Sequence, residues 1–189
     1  MLNRIIIEKL DPVIDNKEKL EIIKLQEYVL QQCNNVDYGE ADLNKIVDIA
    51  REGFQFRPTV SNFIARDQET TVGIISGSIQ RRSITALFIH PKYQRKGIAT
   101  LLIQSLEKEI NSVTTTKGCI RLVCPPSAVA FFEKQGFKSI AQNIQSQGKV
   151  KVSLMRKYYL KDSTLKILRD DIILKYSYIA YTLISRIFN

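Results

Sequence analysis

The residues with the clearest chemical potential run HPKYQRKGIATL, from His90 to Leu101. An apolar run, Ile84 to Ile89, meets Pro91, whose missing N–H ends a strand or confines it to an edge. Beyond Ala99, the residues Leu101, Leu102, Leu106 and Ile110 recur at helical spacing while Glu107, Lys108 and Glu109 turn outward. The stretch therefore predicts a strand, a short loop and a helix. The loop is Gln94-Arg95-Lys96-Gly97-Ile98-Ala99. Gly97 permits positive φ and close backbone approach, and the first N–H groups of a helix lack intrahelical partners and carry the positive end of its dipole. Arg95 and Lys96 add charge, so the loop suits a phosphate or pyrophosphate. An ordinary turn with two solvated cations accounts for the same residues. The spacing fits neither Gly-x-x-x-x-Gly-Lys-Ser/Thr nor the three spaced glycines of a dinucleotide loop, which removes nucleotide triphosphatase and Rossmann readings.

Other reactive side chains are few. His90 is the only histidine, and Cys33, Cys119 and Cys124 are odd in number and lack metal or redox spacing. They read as reduced, small core residues of a cytoplasmic protein, and no metal is expected. The opening MLNRIIIEKLD has an apolar run of three before Glu8, too short for a secretory signal. No stretch approaches the roughly 20 apolar residues that span a bilayer. The formal net charge of +9 is uneven: residues 1–52 carry 7 basic and 11 acidic side chains, 53–137 carry 11 and 5, and 138–189 carry 10 and 3. The basic residues are scattered rather than clustered with aromatics, so a small polyanionic ligand is expected and nucleic acid is not.

The elements that must hold the loop follow from periodicity and punctuation. A strand is expected over 4–10, closed by Asp11-Pro12, then a helix over 17–32 capped by Asp15 or Asn16 and a second over 41–54 ended by Gly53. Strands over 60–65 and 71–79 flank the turn Asp67-Gln68-Glu69 as a hairpin, with Gly73 and Gly77 as candidate bulges. A third antiparallel strand, 83–89, enters the loop. After the helix over 98–113, CIRLVC at 119–124 is a strand stopped by Pro125-Pro126. Strand, helix, strand with a long helix between reads as a crossover, hence a parallel pair. Ser127 can cap a helix over 128–135 ended by Gly136, and strands over 137–144 and 149–158 complete the set.

Two motifs together resemble the GNAT superfamily of acetyl-CoA dependent N-acetyltransferases. One is Leu87-Phe88-Ile89-His90-Pro91 followed by Gln94-Arg95-Lys96-Gly97-Ile98-Ala99, which matches the family's Gln/Arg-x-x-Gly-x-Gly/Ala signature. The other is Ala128-Val129-Ala130-Phe131-Phe132-Glu133-Lys134-Gln135-Gly136-Phe137, similar to its late helix ending in Gly-Phe. The resemblance covers residues 3–158. It implies an α+β fold: a mixed, mostly antiparallel sheet of about seven strands with a splayed parallel pair in the middle, and four helices. A GNAT domain is expected over 1–160 and a C-terminal amphipathic helical extension over 161–189.

The implied activity is acetyl transfer from acetyl-CoA, as co-substrate, to a primary amine by direct attack in a ternary complex. Implied cofactor contacts are the backbone of Phe88, Ile89 and His90 along the pantetheine arm and the groups of Gln94, Arg95, Lys96, Gly97, Ile98, Ala99 and Thr100 at the pyrophosphate. A backbone N–H near Ile89 would meet the oxyanion, a preorganised donor of the kind worth about 2.7 to 4 kcal/mol. The sequence departs from the family twice. Phe132 stands where many members have a tyrosine acid, and Thr85 and Ala86 stand where many have a glutamate base, so no catalytic acid or base is assigned. His90 could be a base or a structural residue, and Cys124 an acid or a buried thiol. These departures motivate an alternative, an acyl-CoA-binding regulatory module with little or no turnover. The acceptor is an amine-bearing small molecule or a peptide or protein, which the acidic residues Glu40, Asp42, Asp48 and Glu52 could attract or simply solvate.

Past the family core, Leu165, Leu168, Ile172, Tyr176, Ile179, Leu183 and Ile187 form one helical stripe. It predicts a C-terminal helix over 163–188 that must be buried: on its own sheet, in a homodimer, or as peripheral membrane contact.

Overall fold

The computed structural model describes residues 5–11, 13–33, 39–40, 43–44, 47–48, 56–113, 118–145 and 151–159. The chain divides into two units, residues 1–36 with 43–116 and residues 37–42 with 117–189. In the first, β1 (Ile5–Lys9), β2 (Ser61–Asp67), β3 (Thr70–Ser78) and β4 (Ser83–Ile89) pair in sequence order, each antiparallel to the next. Two helices belong to it, α1 (Asn16–Cys33) and α2 (Ile98–Val113). In the second, β5 (Cys119–Cys124), β6 (Lys138–Gln145) and β7 (Lys151–Tyr158) lie in the order β5-β7-β6, both pairings antiparallel. A 3-10 turn, Pro126–Ala128, leads there into α3 (Val129–Lys134). Seven strands with helices between them make the chain α+β.

The hydrophobic pattern explains why β3 is buried along nearly its whole length. Ile22 of α1 joins Ile64 and Ile74 in one cluster, against which Phe88 packs. A side chain built on Gly73 would point at Leu102, and one on Gly77 at Leu106, both on α2. Residues one apart in a strand face opposite ways, so α1 covers the Ile74 face and α2 the face of Gly73 and Gly77. Each isoleucine buried between them contributes about 1.5 to 3 kcal/mol. Both glycines sit beside a slip in register, one at Ala65/Arg66 and the other at Ser76/Gly77. The second slip leaves Thr85 as the extra residue of β4.

Local signals act as their chemistry demands. Asp15 Oδ1 accepts the N–H of Glu18 at 2.7 Å, so Asp15 rather than Asn16 caps α1. Arg66 on β2 pairs with Glu8 of β1 and Glu18 of α1, and Glu21 Oε1 accepts the N–H of Thr71 at 2.8 Å. Burial alone would lower the Arg66 pKa, but the hydrogen bonds and charges of Glu8 and Glu18 outweigh it and raise the pKa above its ordinary value. In the second unit, Gly136 at φ +87° ends α3, and the N–H of Phe137 returns to Phe132 O at 3.1 Å.

Some expectations are corrected. Ser127 does not cap α3; it lies inside the 3-10 turn, and Ala128 stands at the cap with no side-chain bond, because Pro125-Pro126 set up the tighter turn first. Among the described residues three α-helices are complete rather than four. Of the helix expected over 41–54, Leu43, Asn44, Val47 and Asp48 are helical, with Leu43 and Val47 buried, and the remaining residues lie outside those described. The C-terminal helix expected over 163–188, the dimer or membrane contact attached to it, and the division after residue 160 also fall outside them. No helix among the described residues is long and apolar enough to cross a membrane.

Candidate anion site

The end of β4 and the start of α2 bring the sequence motif together within the first unit. His90 donates its N–H to Val72 O at 2.9 Å, across to β3. Neighbouring residues of an antiparallel strand direct their backbone groups to opposite sides, so the N–H and C=O of Ile89 point away from β3. The Gln94 side chain reaches this outward side and donates Nε2 to Ile89 O at 3.3 Å. Phe88 packs partly buried on the α1 face.

A 3-10 turn, Pro91–Tyr93, follows, and the side chain of His90 caps it: Nδ1 accepts the N–H of Lys92 at 3.2 Å. The imidazole stacks on Tyr28 of α1, 5.1 Å between centroids. Burial, with the Lys92 charge adding to it, holds the His90 pKa below its ordinary value. His90 is thus occupied as a neutral cap and a stacking partner, which favours its structural role over that of a base.

The loop then reverses twice. Arg95 has φ +60° and Gly97 φ +81°, both left-handed, with Lys96 between them. The first helical bond of α2 runs from the N–H of Leu101 to Gly97 O at 3.1 Å. The N–H groups from Arg95 through Thr100 find no backbone or side-chain acceptor among the described residues. Nothing lies within 4 Å of where a Cβ of Gly97 would stand. Ile98 is 2% exposed and pins the start of the helix, whereas Gln94, Arg95 and Lys96 are exposed. Consecutive donors, two cations and open space in front of a glycine form a concavity suited to an anion with several oxygens.

Two residues to which the sequence assigns no functional role stand beside this site. The Tyr93 hydroxyl donates to Asp67 Oδ2 at 2.7 Å, and the Lys96 ammonium lies 4.8 Å from the Tyr93 ring centroid. That hydrogen bond, then the partial burial and the charge of Asp67, raise the Tyr93 pKa. The position of Tyr93 inside the motif was a usable signal; Asp67 had none. The two other candidates lie in the second unit. Phe132 is buried edge-on to Phe131 and Phe137, at 5.1 and 5.7 Å, as a core aromatic without a proton to give. Cys124 is 3% exposed with Sγ 3.6 Å from Met155 Sδ, as expected of a buried thiol.

Comparison with known proteins identifies the family and the fold. Residues 24–158 match the model of the acetyltransferase (GNAT) domain family. None of the curated proteins is significantly similar in sequence. Among solved structures, the chain resembles a GCN5-related N-acetyltransferase from Rhodopseudomonas palustris, with TM-score 0.70, 20% identity, and coverage of 84% of this chain and 98% of that one. It also resembles the PaiA N-acetyltransferase of Thermoplasma acidophilum, solved with coenzyme A, with TM-score 0.64, 19% identity and coverage of 82% and 99%. A third is an aminoglycoside 6'-acetyltransferase of type Ii, with TM-score 0.59, 22% identity and coverage of 83% and 99%.

Proposed function

Because the chain belongs to the GNAT acetyltransferase family, and so is an acyltransferase, we propose that it moves an acetyl group from acetyl-CoA to a primary amine by direct attack in a ternary complex. The observation that carries the reading is the run of N–H groups from Arg95 to Thr100 without acceptors among the described residues, bent by two left-handed residues and flanked by Arg95 and Lys96. In this reading Gln94, Arg95, Lys96, Gly97, Ile98, Ala99 and Thr100 receive the pyrophosphate, and Phe88, Ile89 and His90 lie along the pantetheine arm. The N–H of Ile89, directed away from β3, is the donor for the oxyanion. The amine would attack the thioester carbon; as the C–N bond forms and the C–S bond breaks, CoA would leave as its thiolate, and the proton lost by the amine would pass through water to that sulfur.

The acceptor is an amine on a small molecule or on a peptide or protein. The structure named as an aminoglycoside acetyltransferase makes aminoglycosides a sensible first panel. A second reading, an acyl-CoA-binding module with little or no turnover, is favoured by Phe132, buried without a hydroxyl, and by Thr85, the bulged residue of β4, with Ala86, at the positions where the family resemblance would put a base. General acid–base help is typically worth about 10² to 10⁴ in rate, so its lack slows the reaction without abolishing positioning. Calorimetry with acetyl-CoA, followed by release of CoA thiol across an amine and peptide panel, separates the two. Binding with release on at least one amine supports the transferase; binding with silence across the panel supports the module; no binding overturns both.

A further inference from the structure

Tyr93 joins three parts of the first unit. Its hydroxyl meets Asp67, which closes β2, at 2.7 Å; its ring holds the Lys96 ammonium at 4.8 Å and meets His90 edge-on at 5.8 Å. Its own N–H bonds to His90 O at 2.8 Å. The loop from Gln94 to Gly97 has no regular structure, so the direction of its N–H groups depends on how its two ends are held. Ile98, buried at 2% exposure, fixes the far end. Tyr93 fixes the near end, and it does so against a carboxylate with a strong demand for a donor. Asp67 Oδ1 is buried with no hydrogen-bond partner among the described residues, which leaves the bond at Oδ2 to satisfy that charge.

We infer that Asp67 and Tyr93 are a positioning pair: anchored to β2, the tyrosine holds the loop in the shape that receives a diphosphate and parks Lys96 beside it. Cofactor affinity then depends on a carboxylate that acts through Tyr93. The inference rests on the reading of residues 94–100 as the diphosphate cradle and adds to it how the cradle is kept open.

The test is a double-mutant cycle read by calorimetry with coenzyme A, each variant melted in parallel. Tyr93→Phe keeps the ring under Lys96 but loses the bond, and Asp67→Ala loses it from the other side; each weakens coenzyme A binding by about three- to tenfold, while only Tyr93→Phe, which leaves the Asp67 carboxylate without its donor, also lowers the melting temperature. The double variant is no weaker than the weaker single, because both remove one interaction. Asp67→Asn, which still offers an acceptor oxygen, recovers most of the affinity. Tyr93→Leu, which also removes the ring, falls below Tyr93→Phe. Unchanged affinity in Tyr93→Phe, additive losses in the double variant, or a loss in Asp67→Ala that comes with a falling melting temperature overturn the inference. If the unsubstituted protein binds coenzyme A and the variants bind equally well, only the positioning pair fails. If it does not bind coenzyme A, the cradle reading fails first and takes the pair with it.

Discussion

Tyr28 and His90 lie ring on ring, 5.1 Å between centroids and 23° between planes, one from α1 and the other from the end of β4. The stack holds the imidazole where Nδ1 can accept the N–H of Lys92, and that bond exists only while Nδ1 carries no proton. A group whose folded pKa is depressed favours the fold in its deprotonated form. Its contribution is therefore present above the ordinary histidine value of 6.5 and is lost as pH falls through the lower folded value. Melting measured across this window should show a stability loss that is absent in His90→Asn, since an asparagine oxygen can cap the turn without titrating. Parallel profiles for the two proteins sink the assignment.

Arg95 and Lys96 flank the unpaired donors from exposed positions. Alanine at either should weaken coenzyme A binding by about three- to tenfold at low salt, through loss of a charge-assisted contact. The deficit should shrink as salt rises, since exposed charges are screened beyond about 8 Å at physiological ionic strength. Isothermal titration at two salt concentrations checks both statements, and a deficit indifferent to salt points to altered loop shape instead.

At Gly77 the sheet has no room for a side chain beneath α2. A Cβ there would stand 2.6 Å from Leu106 Cδ2 and 2.8 Å from the carbonyl oxygen of Ser83. The leucine can turn aside, but the backbone of β4 cannot move without disturbing the register. Gly77→Ala should cost about 1 to 3 kcal/mol in denaturant unfolding, as overpacked cores do. Gly73→Ala should cost less, since its nearest contacts are the side-chain tips of Ile89 at 2.8 Å and Leu102 at 3.3 Å. The reverse order would show that the sheet yields where the helix does not.

Arg66 ties α1 to β1 and β2 through two carboxylates, Glu18 and Glu8, with its side chain 20% exposed. Arg66→Ala should lose about 1 kcal/mol, the upper end for partly exposed pairs, and more at low salt than at high. The companion Arg66→Met keeps the aliphatic stem and separates charge from packing. Equal stability of all three proteins in urea would mark the cluster as ornamental.

How much of this could be read beforehand divides along sequence distance. The loop and its glycine, the Asp15 cap and the Gly136 terminator are set by residues within a turn of one another, and spacing exposes them. The hairpin glycines were visible as breaks in β3, but their closeness to α2 was not, because it depends on the register of Leu102 and Leu106 above the sheet. Asp67 and Tyr93 stand 26 residues apart, and Tyr28 and His90 meet only after α1 settles on its face of the sheet. Neither pair leaves a periodic trace. Ser127 is not a cap because two adjacent prolines impose a 3-10 turn that a capping rule for α-helices does not foresee.

The left-handed backbone at Arg95 sets two selection pressures against each other. At φ +60° glycine or asparagine is the easier occupant, while arginine is held there against its own preference. A library selected for heat tolerance alone should drift at position 95 toward Gly or Asn, and one selected for grip on acetyl-CoA should return to arginine. Residue usage at this one position would then report which property an experiment, or a lineage, has been rewarding.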